Sequence, residues 1–341
     1  MAIQATDIQF YLPATVSDAS SNGGRMSANA LPAGMGNLFP YVPQAERLAG
    51  STKYRKLFAK VAPASNQRMV NAKVFLNAPT PGDDRVLIFP GVQTDTQNAL
   101  TGAERLYGAG TLDVTISAGA TTLAVNCEAA DQIFRNGDLI RICDQTSISD
   151  ANGHEEFLRV ASTSGVSWNG SKATLTLSAG VSTAYGYAGG TARVSSVIEV
   201  GYVIGSWDNW GGSTVAGTYA GNAPATPPTS VVPTVDSIGG VEQVWTLVFT
   251  SPTTFACTGD TLGAVGSGST GNDFSPANAI FSRPYFSLPS AGWGGTWATG
   301  DVLTFRTHPS SVPVWTKRIV PAGANSLSNN YFDLMISGES A

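Results

Sequence analysis

Charge is scarce in this sequence. Asp, Glu, Lys and Arg make up 13% of its 341 residues, about half the usual share. The net charge of −5 is not gathered into an acidic or basic run. No phosphate-attracting stripe exists, which argues against sequence-reading of nucleic acid. The densest basic cluster is "KYRKLFAK", with Lys53, Arg55, Lys56 and Lys60. A solvated strand face is its simplest reading, ahead of a phosphate site. Long apolar runs are missing too: nothing approaches the ~18 residues of a membrane-spanning helix. "MAIQATDIQF" lacks the basic start and apolar centre of a secretory leader, so none is expected. Cysteines number three, at 127, 143 and 257. Their spacing fits no zinc site, and an odd count argues against a disulfide framework. Buried free thiols made in a reducing cytoplasm are expected.

Histidine is scarcer still, with only His154 and His308. A Ser-His-Asp arrangement would need one of them beside a nucleophile and a carboxylate, and no G-x-S-x-G elbow is present. The glycine-rich stretches carry no G-K-[ST] and no helix signal behind them, so they are not phosphate loops. No cofactor is indicated.

Apolar residues, at 42%, and abundant glycine suit a β-rich protein with a neutral surface rather than a disordered chain. Strand signals dominate: 7–12, 53–61, 69–78 and 84–91 carry β-branched and aromatic residues between turn signals. "NAPTPGDD" at 77–84 is a turn by its proline and Gly-Asp chemistry. Short helices are conceivable at 41–50, 98–110 and 128–134. The texture changes near residue 111, where short alternating strands crowd together up to about 200. Asn169-Gly170 there is a strong hairpin signal. Aromatic strands return at 241–250, 279–288, 301–307, 312–320 and 330–338. Two stretches between them, 218–240 (proline- and glycine-rich) and 258–273 (glycine- and serine-rich), read as long irregular loops, exposed or covered by a partner.

Few groups could carry chemistry. "GHEEF" gathers His154, Glu155 and Glu156 near Asp144 and Asp150. Adjacent Glu155 and Glu156 point to opposite faces of a strand, which disfavours a metal site, and a solvated strand start is preferred. Paired carboxylates for glycoside cleavage stay open, with Asp83-Asp84 in a turn and Asp208 in "SWDNWGG". The aromatic loops "GSWDNWGG" and "GWGGTWATG" place Trp207, Trp210, Trp293 and Trp297 among glycines. These four could form a sugar-stacking platform, but packing of each ring against glycine backbone is the preferred reading.

The two ends of the chain carry a resemblance. "AIQATDIQFYL", "AERLAGSTKYRKLFAKV" and "NAKVFLNAPTPGDD" at the start, and "WATGDVLTFRT", "PVWTKRIVPAGAN" and "NNYFDLMISGES" at the end, resemble a family of tailed-bacteriophage virion structural proteins. About half the chain is covered, by turn and strand motifs with no catalytic residues to carry over. The resemblance implies that both ends belong to one β-sandwich. The middle stretch "ISAGATTLAVN…FRNGDLIRICD…GHEEFLRV" looks like a small β module inserted in related phage proteins. The fold expected is therefore all-β: an antiparallel β-sandwich host of jelly-roll or immunoglobulin-like type, residues 1–110 plus 198–341, carrying a β-barrel-like module at 111–197. Phe332, Leu334 and Ile336 should pack against the first 90 residues.

The function implied is structural: a virion component, at the tail tip or baseplate, assembled in the bacterial cytoplasm. It would act by burying neutral β-surfaces against copies of itself and other virion proteins, around a symmetry axis, rather than by catalysis. The alternatives are a head decoration or neck protein, or a module that binds host-surface glycan or pilus through the Trp loops. A glycan depolymerase is the weakest reading.

Overall fold

The computed structural model describes residues 2–147, 149–186, 192–220 and 233–341. Strands open the chain: β1 (Ile8–Thr15), β2 (Gly23–Ala30), β3 (Ser51–Val61), β4 (Met69–Leu76) and β5 (Arg85–Pro90), with one short helix, α1 (Gln44–Ala49), ahead of β3. Next come β6 (Ala109–Leu112), β7 (Thr122–Asn126), β8 (Leu139–Cys143), β9 (Glu155–Arg159), β10 (Val166–Asn169), β11 (Lys172–Thr176) and β12 (Arg193–Ser196). β13 (Ile198–Val203) leads into β14 (Ser206–Ser213), β15 (Ala216–Tyr219), β16 (Gln243–Phe249), β17 (Thr254–Gly259), β18 (Gly263–Ser269), β19 (Ala277–Asn278), β20 (Arg283–Pro284), β21 (Trp293–Thr296) and β22 (Val302–His308). β23 (Ser311–Val320) and β24 (Leu334–Ser340) follow. Every strand pair between these elements is antiparallel.

The host sandwich packs the sheet β2-β1-β3-β23-β5 against the sheet β13-β4-β24. Alternation explains it: Leu57, Ala59 and Val61 of β3, Ile88 of β5 and Val312 and Val314 of β23 turn one face inward, onto Ala72, Val74 and Leu76 of β4, because strand residues two apart share a face. The longest ladder is β3 with β23, in register from Ser311 opposite Lys60 to Val320 opposite Ser51. The closing stretch does not form a hairpin. β23 joins one sheet, while β24 joins the other beside β4. Leu334 lies opposite Leu76, Ile336 opposite Val74, and Phe332 packs edge-on against Phe39 at 6.2 Å. All three meet the early-chain core but stay half-buried, because β24 is an edge strand.

The first module is a seven-stranded sheet, β10-β11-β7-β6-β12-β8-β9, around Leu123, Val125, Ile140, Ile142, Leu175 and Val194. The sheet curls so that Val160, after the edge strand β9, bridges Leu177, after β11, the strand next to the opposite edge. The expected hairpin is β10–β11, and Gly170 supplies the positive φ (60°) of its two-residue loop. Leu87 and Ile319 of the host sheet pack onto this core.

Residues 206–308, read from the sequence as part of the host, instead surround a core of their own and form a second module. The sheet β14-β22-β16-β17-β18 and the ribbon β15-β21 enclose Trp245, Leu247, Phe249, Phe255, Phe286, Leu303 and Phe305. This stretch carries enough alternating aromatic residues to bury its own face, so only β13, β23 and β24 return to the sandwich. The glycine-serine stretch 258–273 is not an irregular loop: it contains most of the β17–β18 hairpin. Absent side chains let Phe255 and Phe274 lie against the backbone, and a Cβ on Gly268 would fall 2.7 Å from each ring. Much of the 218–240 stretch lies outside the described residues. Of the three candidate helices, 41–50 forms α1, 98–110 keeps only the 3-10 turn Gln97–Ala99 at its start, and 128–134 forms none.

Candidate functional site

The two aromatic loops meet. β15 pairs with β21 so that Tyr219 lies opposite Trp293, and a continuous ladder of rings results. Trp207 contacts Trp210 at 5.1 Å, Trp210 contacts Tyr219 at 5.3 Å, Tyr219 contacts Trp293 at 4.8 Å and Trp293 contacts Trp297 at 5.6 Å. Most of these contacts are edge-to-face, at 63°, 82° and 80°, the arrangement that suits a ring's charge distribution. Trp297 also stacks flat on Phe249 at 4.1 Å. A sugar platform needs an open, level face. Here the rings turn toward one another, Trp297 is 4% exposed, and the other three indoles are half-buried against the same core. Glycine makes the packing possible: a Cβ on Gly217 would sit 2.4 Å from the Trp297 ring, and one on Gly292 2.4 Å from Tyr219.

His308, at the end of β22, is held from both sides. Its Nδ1 lies 2.7 Å from Glu242 Oε2 and its Nε2 3.1 Å from Asp208 Oδ2. The hydrogen bond to buried Glu242 is the main cause that raises the His308 pKa, and Asp208 adds to it. Both ring nitrogens are thus engaged by carboxylates, and neither is free to take a proton from a serine or cysteine. The "GHEEF" group is dispersed among separate partners. Asp144 accepts from the His154 backbone N–H at 2.6 Å, Glu155 pairs with Arg141, and Glu156 accepts from the Ser182 N–H at 3.1 Å. Asp150 ties a turn by accepting from the N–H groups of Thr146, Asn152 and Gly153, which pull its pKa down. Among the described residues no three His, Cys, Asp or Glu side chains are grouped to hold a metal ion. Cys127, Cys143 and Cys257 are free thiols, and burial pushes Cys127 and Cys257 up to about 12, away from nucleophilic use.

The basic run on β3 is not a solvated face. Lys56 is 0% and Lys60 1% exposed, and Arg55 is buried as well. Lys56 Nζ lies 2.6 Å from Asp95 Oδ1 and donates to the Gly24 carbonyl at 2.8 Å. Arg55 pairs with Asp18 at 2.5 Å. Lys60 donates to the Ile238 carbonyl in the second module, and its ammonium sits 3.9 Å from the Phe281 ring centre. Desolvation pulls Lys60 down to about 8. Lys56 and Lys60 share a face that the loop at 91–96 and residues 206–308 cover, and both supply acceptors, while Arg55, on the opposite face, is covered by Phe39 and the Ser17–Asp18 turn.

Sequence reasoning missed a cleft of about 1230 Å³ at one end of the sandwich. Phe10, Leu57, Val86 and Leu334 line its floor, and the loops at 31–43 and 321–333 form its walls. A polar clip holds the second loop. Asp83 Oδ2 accepts from the Asn325 N–H at 2.8 Å and from its amide at 2.9 Å, Gly82 N–H donates to Asn330 Oδ1 at 2.9 Å, and Asn330 donates to Asp84. Gly323 N–H reaches the Arg47 carbonyl at 2.7 Å. The "PAGAN" and "NN" residues thus shape one cleft wall. Two guanidiniums border the space: Arg318 donates from Nη1 to the Pro40 carbonyl at 2.8 Å and holds Nη2 3.9 Å from Glu46 Oε2, while the buried Nε of Arg47 and of Arg318 meet no hydrogen-bond acceptor among the described residues.

Compared with protein-family models, curated proteins and solved structures, the chain matches none of them.

Proposed function

We propose that the chain is a structural component of a tailed-phage virion, sited at the tail tip or baseplate, that works by assembly with copies of itself and other virion proteins rather than by catalysis. The sandwich is the platform, and 111–197 and 206–308 are modules inserted into it. The observation that carries this reading is where the resembling stretches lie. "DIQFYL" becomes β1, "KYRKLFAK" β3 and "VPVWTKRIV" β23, three consecutive members of one sheet, while "NAKVFL" and "LMISGES" pair as β4 and β24. Most of the resembling stretches thus fall on one architectural unit, the exception being "WATGDVLTFRT", which forms β22 in the core of residues 206–308. The charged groups best placed for chemistry are engaged internally, as with His308 between Glu242 and Asp208. Exposed apolar residues gather at a cleft rim, the kind of surface that marks association.

Mass spectrometry of separated heads and tails tests the reading. The chain is expected in the tail fraction. Recovery only with heads would move it to a decoration or neck position, and absence from purified particles would overturn the reading altogether.

A further inference from the structure

A reactive pair is buried under the loop at 91–96. Lys56 lies near the middle of β3, and Trp315 of β23 is directly opposite it, so the two side chains share a face. The loop crosses that face and lays Asp95 against both. Lys56 Nζ lies 2.6 Å from Asp95 Oδ1, and the Trp315 indole N–H donates to Asp95 Oδ2 at 2.8 Å. Backbone contacts hold the loop there: the Asp95 carbonyl accepts from the Gly24 N–H at 2.8 Å and from Lys56 Nζ at 3.0 Å. Two glycines leave the room for this. A Cβ on Gly91 would fall 2.9 Å from the Trp315 ring and 3.4 Å from Asp95 Oδ2, and one on Gly23 2.9 Å from the Asp95 carbonyl oxygen.

Each atom that amide formation needs has its place. Lys56 and Trp315 are 0% exposed, so bulk water is kept from the nitrogen. Burial pushes the Lys56 pKa down, and the charges of Asp95 and Glu242 offset that only in part. The neutral amine that a nucleophile requires is thereby brought closer. Nζ donates to the Gly24 and Asp95 carbonyls, which leaves its third position for the carboxyl group 2.6 Å away. Oδ1 accepts no hydrogen bond among the described residues, so no other donor restrains it from leaving. Oδ2 already has the indole donor in place for charge that builds on it. A nitrogen 2.6 Å from Oδ1 stands within about 4 Å of Cγ, close to the ~3–3.5 Å at which positioned groups react.

We propose that Lys56 and Asp95 condense into an intramolecular amide between Nζ and Cγ, so that the pair is a self-modification site. The proton count closes within the pair. The ammonium first passes a proton to Oδ1, giving an amine and a carboxylic acid, the uncharged forms that a buried site favours. Nζ then attacks Cγ, and Trp315 stabilises the charge on Oδ2. The Cγ–Oδ1 bond breaks, and Oδ1 leaves as water with a second proton from Nζ. No oxidant or activated ester is consumed. The new bond ties β3 to the loop after β5 and closes the chain between residues 56 and 95 into a covalent ring. Such a link restricts the unfolded chain much as a disulfide does, in a protein whose three cysteines are free thiols. The inference goes beyond the assembly reading and does not rest on it.

Intact-mass spectrometry of the full chain under denaturing conditions tests this. The purified wild type should be lighter by one water than its sequence requires. Trypsin should no longer cut after Lys56, and the digest should contain "KLFAK" (56–60) joined to "VLIFPGVQTDTQNALTGAER" (86–105) as one branched peptide. Lys56→Gln and Asp95→Ala should each carry the full sequence mass. The wild-type measurement stands by itself, however well either variant folds. Trp315→Phe keeps a ring and loses the N–H; in newly synthesised chain followed over time it should close the bond more slowly than wild type by about tenfold or more. A wild type of full sequence mass, a water loss that persists in Lys56→Gln, or a branch that maps to other residues would each overturn the proposal.

Discussion

Lys60→Met makes the seam between the sandwich and the second module readable by pH. The wild-type ammonium is enclosed by Tyr11, Phe281 and the Ile238 carbonyl, and desolvation lowers its pKa from 10.5 to about 8. Below pH 8 the folded and unfolded chains both hold the proton, and the folded chain bears the full cost of burying the charge. The gap between the two values corresponds to ~3 kcal/mol, at about 1.36 kcal/mol per pH unit. As pH rises from about 8 toward 10.5, the folded chain has released the proton and the unfolded chain still binds it. Stability therefore increases with pH across that window. Between pH 7 and 9.5 the linkage contributes ~2 kcal/mol in the wild type and nothing in the variant. The assay is urea unfolding at both pH values, followed by the fluorescence of the second module's tryptophans. Groups common to both proteins cancel in the wild-type-minus-variant difference. That difference should move by ~2 kcal/mol in favour of the wild type at the higher pH. A difference constant to within ~0.5 kcal/mol, the usual error of additivity, would refute the buried, depressed ammonium.

Two further outcomes follow from the geometry. Gly217→Ala drives a methyl group into the Trp297 ring and should destabilise the second module by ~1–3 kcal/mol; a calorimetric melt unchanged from wild type would show that the aromatic ladder is looser than described. The raised His308 pKa means that its two carboxylate contacts stabilise the fold fully below pH 6.5, the ring's ordinary value, and lose that contribution as pH rises through the folded value. The stability gap between wild type and His308→Gln should thus be wider at pH 6 than at pH 8.5 in thermal melts, and an equal gap at both would remove the ion pairs from the account.

Local signals in the sequence were legible. The strands expected at 7–12, 53–61, 69–78 and 84–91 correspond to β1, β3, β4 and β5, because period-two alternation reflects a buried face directly. Asn169-Gly170 marked a real hairpin for a similar reason, since positive φ is a property of the turn itself. What escaped was set by distant partners. Lys56 and Lys60 resemble solvated charges until Asp95, 39 residues away, and Ile238, 178 residues away, arrive as acceptors. The four tryptophans were singled out, but their assembly into one ladder depends on Tyr219 meeting Trp293 across strands. The separate core of residues 206–308 was hidden because a strand's pattern shows that it has a buried face and not which sheet covers it. The cleft draws its lining from 31–43, 77–84 and 321–333, and no single stretch announces it.

Both modules are continuous in the chain, whereas the sandwich is completed only by β23 and β24. A ribosome adding about 5–20 residues per second releases the whole of residues 109–308 between β5 and β23. During that interval the modules can bury their own cores as they emerge, while β3 still lacks the partner that covers its longest edge. A product cut short before residue 311 would contain both module sequences. It would lack Arg318, Leu327 and Tyr331, and with them the cleft wall. Translation order thus makes the cleft the last feature of the molecule to be completed.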